Sequence, residues 1–185
     1  MQIVFIGPPG AGKGTQSTLL ANYLKIPKLS TGEMLREGCD QRTDVGRQAA
    51  QYMESGRLVP DPLVEKIVLD RLSEPDCLTG YILDGFPRTL PQAANFDRWL
   101  GDQERSLSVV IEIRVSEEEL LERLAERGRQ DDDREIIRLR LKQYAKLTHP
   151  LIDYYEQRNL LQVINGVGTT DAIFNHLQQI VDRVG

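Results

Sequence analysis

The sequence is poor in the features that secreted, zinc-binding or membrane-embedded proteins depend on. It contains only two cysteines, Cys39 and Cys77, in 185 residues. Two thiols are too few for a disulfide framework or for the usual structural zinc site. No apolar run approaches the roughly 20 residues of a membrane-spanning helix, and the apolar stretch beginning at Ile3 is too short for a signal peptide. We therefore expect a protein of the reducing cytoplasm that binds neither zinc nor a membrane.

The sequence also has no excess of positively charged residues. Lysine and arginine number 23 against 28 acidic residues, which gives a net charge of −5. This balance argues against a nucleic-acid surface. Arginines nevertheless concentrate between Arg123 and Arg140, and a basic cluster in an acidic protein suits a small anionic ligand. The length and composition are those of a single globular domain.

The most informative motif is GPPGAGKGT at residues 7–15. It follows an apolar run predicted to be a buried strand and precedes a segment with helical spacing of apolar residues. Glycines let backbone N–H groups close around an anion, the following helix N-terminus favours negative charge, and Lys13 can reach the outer phosphates. The motif predicts a phosphate-binding loop. Because Gly14 replaces the Ser or Thr that usually follows the lysine, we do not expect the magnesium arrangement of switch GTPases unchanged.

A second polar residue is predicted to lie near this loop. The apolar segment beginning at Tyr81 ends in Asp84, and ligands of open parallel sheets bind beyond the carboxyl ends of the strands. A carboxylate there is typical of P-loop enzymes, although Asp before Gly85 also suits an ordinary turn. For Thr31, helix capping is the simpler interpretation, as it is for Ser30.

Strands alternate with helices along the whole chain. We predict five strands, near residues 2–6, 26–29, 81–84, 108–115 and 160–164. This alternation predicts an α/β fold with a parallel sheet and helices on both faces. Helix caps are predicted at Asp61, at Ser116, and at Thr170 or Asp171. The weakly amphipathic stretch between Cys39 and Ser55 favours a small appended subdomain.

Three segments together carry a family resemblance. GPPGAGKGTQ at 7–16, STGEMLR at 30–36 and DGFPRTLPQ at 84–92 resemble the signatures of nucleoside monophosphate kinases, most closely those of adenylate kinases. The resemblance extends from Met1 to about Gly168. It implies the three-layer fold of P-loop NTPases, with a core of 1–29, 60–125 and 137–185, a helical monophosphate-binding subdomain at 30–59 and a lid at 126–136. So short a lid resembles the form without zinc.

The resemblance also implies a reaction, the Mg²⁺-dependent transfer of the ATP γ-phosphoryl group to AMP to give two ADP, by a monomer. The residues agree with this chemistry. A phosphate acceptor is already anionic near neutral pH, so no general base is needed. Both histidines, His149 and His176, lie outside the three motifs, and we interpret them as structural. Phosphoryl transfer needs alignment and charge neutralisation instead.

Site residues follow from the resemblance position by position. The ATP side would comprise the loop, two arginines and a late glycine: Gly10, Ala11, Gly12, Lys13, Gly14, Thr15, Arg123, Arg127 and Gly168. The AMP side would comprise residues of all three subdomains: Thr31, Arg36, Arg57, Leu58, Val59, Gly85, Phe86, Pro87, Arg88, Gln92, Arg129 and Arg140. The catalytic charges among them would be Lys13, Arg88, Arg123, Arg129 and Arg140. Asp84 would orient Mg²⁺ through its water shell.

Several alternatives remain open at this point. Arg123 and Arg127 also have acidic neighbours with which to form ordinary helix-surface pairs. Uridylate/cytidylate kinases share the fold and the short lid, but they usually carry Ala in place of Thr31 and Asn in place of Gln92, so this sequence favours AMP. A P-loop switch protein is the alternative from another class. It predicts a guanine-reading N-K-x-D motif, which the sequence lacks.

Overall fold

A computed structural model of the chain describes residues 1–127 and 133–184. Its five strands form one all-parallel sheet in the order β2-β3-β1-β4-β5. The strands are β1 (Gln2–Ile6), β2 (Lys28–Ser30), β3 (Tyr81–Asp84), β4 (Val109–Arg114) and β5 (Leu161–Asn165). The predicted α/β fold with five parallel strands is confirmed.

Helices connect the strands. Those described are α1 (Lys13–Leu24), α2 (Thr31–Asp40), α3 (Asp44–Glu54), α4 (Asp61–Leu72), α5 (Leu90–Asp102), α6 (Glu117–Arg127), α7 (Arg134–Gln143), α8 (Pro150–Glu156) and α9 (Thr170–Val184). A short 3₁₀ helix spans Pro75–Cys77, and a π-helical turn spans Tyr144–Thr148. Among the described residues, none of the helices has the length and apolar character needed to cross a membrane.

The core lies on both faces of the sheet. Successive residues of a strand point to opposite faces, and in β1 the side chains of Val4 and Ile6 join one apolar cluster while those of Ile3 and Phe5 join another. Because helices cover both faces, both sets are buried and the strand is apolar throughout. Helices α4 and α5 contribute to the first cluster, and α1 and α9 to the second.

Two of the four helix starts for which a cap was predicted follow the prediction. The Ser30 and Ser116 hydroxyls accept hydrogen bonds from backbone N–H groups three residues later, each over 3.4 Å. Two predicted caps were wrong. Helix α4 begins at Asp61 itself, and α9 is capped by Thr169, whose Oγ1 accepts from the N–H of Ala172 over 3.2 Å.

The long helical region after residue 133 is interrupted, as Pro150 predicts. A proline lacks the N–H that would continue the helical hydrogen-bond pattern. Helix α7 therefore gives way to the π-helical turn, in which the N–H of His149 donates to the Tyr144 carbonyl over 2.9 Å, and Pro150 begins α8. This places Gln143 and Thr148 beside the carboxyl edge of the sheet, where both line the main cavity.

Candidate active site

A cavity of about 930 Å³ lies beyond the carboxyl ends of the strands. Most of the predicted site residues line it: Gly10, Ala11, Gly12, Lys13, Gly14, Thr15, Thr31, Arg36, Arg57, Leu58, Val59, Asp84, Gly85, Pro87, Arg88, Gln92, Arg123, Arg140 and Gly168. The cavity is large enough to accommodate a small-molecule ligand of substantial size. The structure thus brings together residues that lie as far apart in the sequence as Gly10 and Gly168.

Three predicted site residues require separate comment. Phe86 does not line the cavity: its ring is buried in the core and packs edge-on against Phe96, with ring centroids 5.4 Å apart. Any contact of Phe86 with a ligand would therefore involve its backbone. Arg129, the side chain of Arg127 and residues 128–132 of the predicted lid lie outside the described residues.

The phosphate-binding loop has the backbone geometry of an anion site. Gly12 adopts φ 91°, a left-handed conformation, immediately before the first residue of α1. No acidic side chain occupies the first turn of that helix, so its N-terminal N–H groups and dipole remain available to an anion. The Lys13 ammonium lies over the loop and donates to the carbonyls of Gly7 (2.7 Å) and Pro8 (2.9 Å). A bound phosphate would exchange these carbonyl contacts for charged oxygens.

Asp84 lies against this loop. Its side chain is buried, and a Cβ atom on Gly14 would be 3.6 Å from its Oδ2 atom. Among the described residues, no group of three or more His, Cys, Asp or Glu side chains could hold a metal ion. A single carboxylate beside a phosphate-binding loop nevertheless fits Mg²⁺, which keeps several waters and is commonly held by one or two carboxylates plus substrate phosphates.

Arg88 also lines the cavity and is held in place by three hydrogen bonds. Its Nε donates to the Gly85 carbonyl (2.8 Å), its backbone N–H donates to Gln92 Oε1 (2.7 Å), and its carbonyl accepts from Thr148 Oγ1 (2.9 Å). The side chain is thus oriented before any ligand binds.

Three guanidinium groups converge at this end of the site. Burial lowers the pKa of Arg88, and the positive charges of Arg140 and Arg36 lower it as well. The negative charge of Asp84 raises the pKa of Arg88 and offsets part of this effect. Arginine nevertheless remains protonated in proteins. Like charges held together in a buried cleft are unfavourable unless an anion joins them. The cluster is therefore the electrostatic counterpart of a phosphate group.

Thr31 has a different role from the capping predicted for it. Ser30 caps α2, and the Thr31 hydroxyl instead donates across the cleft to the Gly85 carbonyl over 2.9 Å. Only 2 % of Thr31 is exposed. The hydrogen bond fixes the start of α2 to the segment that follows β3, so the two walls of the arginine side are joined at Gly85.

Gly85 lies where the site leaves no room for a side chain. It adopts φ 87°, and a Cβ there would lie 2.7 Å from Thr31 Oγ1 and 2.9 Å from Arg88 Nη2. We expect Gly85→Ala to destabilise the fold by about 1 kcal/mol or more, because alanine is strained at positive φ, and to raise the KM for the monophosphate. Thermal unfolding and steady-state kinetics test both effects. Gly101→Ala is the control, because its Cβ would meet nothing within 4 Å.

Arg123 forms the helix-surface pair that was one of its two interpretations, and it also lines the main cavity. Its Nε pairs with Glu119 Oε1 at 2.8 Å within α6, which is the ordinary helix-surface pair. Its Nη2 also donates to the Gly166 carbonyl over 2.9 Å, and Gly166 lies just after β5. The guanidinium therefore bridges α6 and the turn that contains Gly168, at the edge of the main cavity.

Sequence reasoning missed two residues of the site. The Asp61 carboxylate accepts hydrogen bonds from Thr89 Oγ1 (2.7 Å) and Gln92 Nε2 (2.8 Å). Gln143 Oε1 accepts from the N–H of Leu58 over 3.1 Å and so connects residues 30–59 with α7. No local motif marks either contact. Asp61 resembles a helix cap in the sequence, and Gln143 is one of many polar residues in an amphipathic helix.

One cavity at the edge of a parallel sheet contains a phosphate-binding loop, an aspartate at a strand end and an arginine cluster. Together these features define a P-loop phosphotransferase. A family model described as "Adenylate kinase" matches residues 5–160. The chain is 48% identical over 177 residues to an adenylate kinase of Thermobifida fusca, covering 94% of each chain. It is 42% identical over 189 residues to that of Trichodesmium erythraeum, covering 100% of this chain and 99% of the relative. The chain belongs to the adenylate kinase family.

This membership confirms the resemblance seen in the three motifs. Another relative, an adenylate kinase of Mycobacteroides abscessus, is 45% identical over 183 residues and is covered over its whole length. The chain is accordingly a nucleoside monophosphate kinase. The uridylate/cytidylate kinase alternative is not favoured, since these relatives all carry the same name.

Proposed function

We propose that the protein catalyses the reversible transfer of the γ-phosphoryl group of ATP to AMP, giving two molecules of ADP. The observation that carries the proposal is that Lys13 and Arg88 line the same cavity. One end of the cavity offers a phosphate-binding loop and a helix N-terminus, and the other offers an arginine cluster. Two nucleotides bound with their phosphates facing each other would satisfy both ends.

The loop holds the ATP phosphates in this proposal. Backbone N–H groups of residues 10–15 surround the β- and γ-phosphates, and Lys13 leaves its present carbonyl partners to contact them. Arg123 and Arg127 contact ATP from α6, and the backbone of Gly168 contacts its adenine. The left-handed Gly12 and the absence of acidic residues in the first turn of α1 support the loop's part.

The arginine side holds AMP. Arg88 grips the phosphate of AMP with its guanidinium, assisted by Arg36 and Arg140, and Gln92 contacts the edge of the adenine ring. Thr31, Arg57, Leu58, Val59, Gly85 and the backbone of residues 86–87 form the remaining walls. The hydrogen bonds that hold Arg88 from Gly85, Gln92 and Thr148 support this assignment, because a preoriented guanidinium loses little freedom on binding.

Transfer then requires no proton acceptor. An oxygen of the AMP phosphate attacks the γ-phosphorus, the bond from that phosphorus to the β–γ bridging oxygen breaks, and ADP leaves with the electron pair. Charge spreads over the transferred group, and arginines aligned with it lower the barrier. Arg88, Arg123, Arg129 and Arg140 supply those charges, and Lys13 stabilises the leaving phosphate.

Magnesium completes the proposed site. The ion, when bound, neutralises phosphate charge and aligns the β- and γ-phosphates. Asp84 would hold it through water molecules, and the proximity of its carboxylate to Gly14 supports this position. We propose that the protein binds no zinc, because a lid as short as residues 126–136 resembles the form without zinc.

Closure is the remaining part of the mechanism. We propose that residues 30–59 act as a monophosphate-binding subdomain and that residues 126–136 close over ATP, because water admitted to the site would divert the phosphoryl group to hydrolysis. The hydrogen bond between Leu58 and Gln143 supports a direct connection between the subdomain and α7.

The proposed partners are ATP, AMP and ADP, and the proposed active unit is a monomer. We place it in the cytoplasm, where the free thiols of Cys39 and Cys77 stay reduced.

A turnover assay across monophosphates tests the proposal. With Mg²⁺ and ATP, we expect kcat/KM for AMP to exceed that for UMP or CMP by about 100-fold or more, because a pocket spaced for a purine leaves a pyrimidine poorly contacted and the hydrogen-bonding groups of the pocket unpaired. ADP formation is measured with each acceptor at matched concentrations. Comparable rates with AMP and UMP would overturn the assignment of the acceptor.

A further inference from the structure

Asp61 connects the starts of two helices, α4 and α5, and contacts Gln92, which lines the cavity. It is the first residue of α4, and its two carboxylate oxygens each accept one hydrogen bond from the start of α5: Oδ2 from the Thr89 hydroxyl over 2.7 Å, and Oδ1 from the Gln92 amide nitrogen over 2.8 Å. Thr89 in turn caps α5 by accepting from the N–H of Gln92. Neither the phosphate grip nor the transfer step accounts for a carboxylate at this position.

The Gln92 amide is held at both ends. Its Oε1 accepts from the N–H of Arg88 over 2.7 Å, and its Nε2 donates to Asp61. Only 2 % of Gln92 is exposed, yet it lines the cavity. A side-chain amide ordinarily has two orientations related by a half-turn that exchange its oxygen and nitrogen.

Only one of those orientations is compatible with these neighbours. A carboxylate accepts hydrogen bonds and a backbone N–H donates them. A half-turn would place the amide oxygen against Asp61 and the amide nitrogen against the Arg88 N–H, so both contacts would become repulsive in a buried site. Asp61 and the Arg88 N–H together therefore determine which end of the Gln92 amide donates and which accepts, and Asp61 is the side chain of the two.

We propose that Asp61 is a specificity-determining positioning residue, which fixes the polarity of Gln92 so that the monophosphate pocket distinguishes a base by the donor–acceptor order along its edge. This inference rests on the proposed contact between Gln92 and the base. Adenine offers an acceptor at N1 and a donor at its 6-amino group. Hypoxanthine has nearly the same shape but reverses both, with a donor at N1 and an acceptor at O6. A Gln92 amide held in one orientation can form hydrogen bonds to both groups of adenine, whereas hypoxanthine would place donor against donor and acceptor against acceptor.

The test compares AMP with IMP as acceptors, using ATP and Mg²⁺ with the full chain. We expect the wild type to prefer AMP by about 100-fold or more in kcat/KM, since a site built for one hydrogen-bond pattern rejects its reverse strongly. In Asp61→Asn, the new amide can accept from or donate to Gln92, so the Arg88 N–H is the one remaining contact that favours the present orientation of the Gln92 amide. We expect the AMP-to-IMP ratio to fall at least about tenfold, through a higher KM for AMP and a lower KM for IMP, with kcat for AMP changed less.

Asp70→Asn is the matched control. Asp70 lies on the same helix, is exposed and pairs only on the surface, with Lys66 at 2.8 Å, so the ratio should not change. If Asp61→Asn does not fold, as judged by thermal unfolding, Asp61→Ala replaces it, because removing the carboxylate also removes one of the two contacts that hold the Gln92 amide in its present orientation.

The outcomes separate the inference from the proposed function. Failure of the wild type to phosphorylate AMP would overturn the proposed function itself. Normal use of AMP together with an unchanged AMP-to-IMP ratio in the Asp61 variant would overturn the inference alone. A uniform loss of activity with both nucleotides would also overturn it, because that result assigns Asp61 a purely structural role.

Discussion

Arg88→Lys is expected to lower kcat by about 100-fold or more and to raise the KM for AMP. An arginine that stabilises a transferred phosphoryl group contributes about 10³–10⁵ in rate, and lysine retains the charge but not the two parallel donors that match a phosphate. The substitution also removes the Nε–H that donates to the Gly85 carbonyl, so the new ammonium would be less firmly oriented. Steady-state kinetics with varied AMP measure both effects.

Stability should change much less than activity in this variant. We expect the unfolding temperature to shift by less than about 4 °C, which corresponds to about 1 kcal/mol in a chain of this size, because the charge is kept and the backbone hydrogen bonds of residue 88 do not involve its side chain. Arg98→Lys is the control, since Arg98 is exposed on α5, where its Nη1 donates to Asn95 Oδ1 over 3.4 Å. Near-normal turnover by Arg88→Lys would show that Arg88 is a structural residue.

The second large effect is expected for Lys13→Met, which keeps the length of the side chain and removes its charge. Loss of one positioned donor to a group that gains charge in the transition state typically costs about 10²–10³ in kcat, and we expect a loss of this size. The Gly7 and Pro8 carbonyls lose the ammonium that now lies between them, but they lie at an open cavity where water can replace it. The measurement is ADP formation at saturating AMP with varied ATP.

Lys66→Met provides the comparison for Lys13→Met. The Lys66 side chain is 64% exposed on α4, so its replacement removes the same charge without affecting the cavity. Activity within about twofold of the wild type is expected there. If Lys13→Met retained comparable activity, the loop would not be the site that holds the γ-phosphoryl group.

Local sequence information was sufficient where the relevant contacts are local. The glycine-rich loop and the helix after it are adjacent in the chain, so their spacing predicted an anion site that the backbone of Gly12 then provides. Short continuous apolar runs predicted the strands, because burial on both faces leaves few positions for polar side chains. Ser30 and Ser116 were recognised as caps because a cap bonds to N–H groups within three residues.

Thr31 and Asp61 show where local rules fail. Both occur in sequences that favour helix capping, yet each side chain bonds to a segment far along the chain, Thr31 to Gly85 and Asp61 to Gln92. Capping by a neighbour, Ser30 in one case, leaves the side chain available for a distant partner. A rule based on a few adjacent residues cannot choose between two acceptable partners when one of them lies about 30 or 50 positions away.

The amino-acid sequence alone was sufficient for the order of strands and helices, the phosphate-binding loop and the residue types of a phosphotransferase, because each of these depends on contacts within a few residues. Tertiary structure decided which side chains share the cavity, how Arg88 is oriented and which way the Gln92 amide faces. Those features arise when β1 and β3 pair in parallel and bring the starts of α1, α2 and α5 to one edge of the sheet. Their geometry depends on the packing of the whole chain, which no single segment specifies.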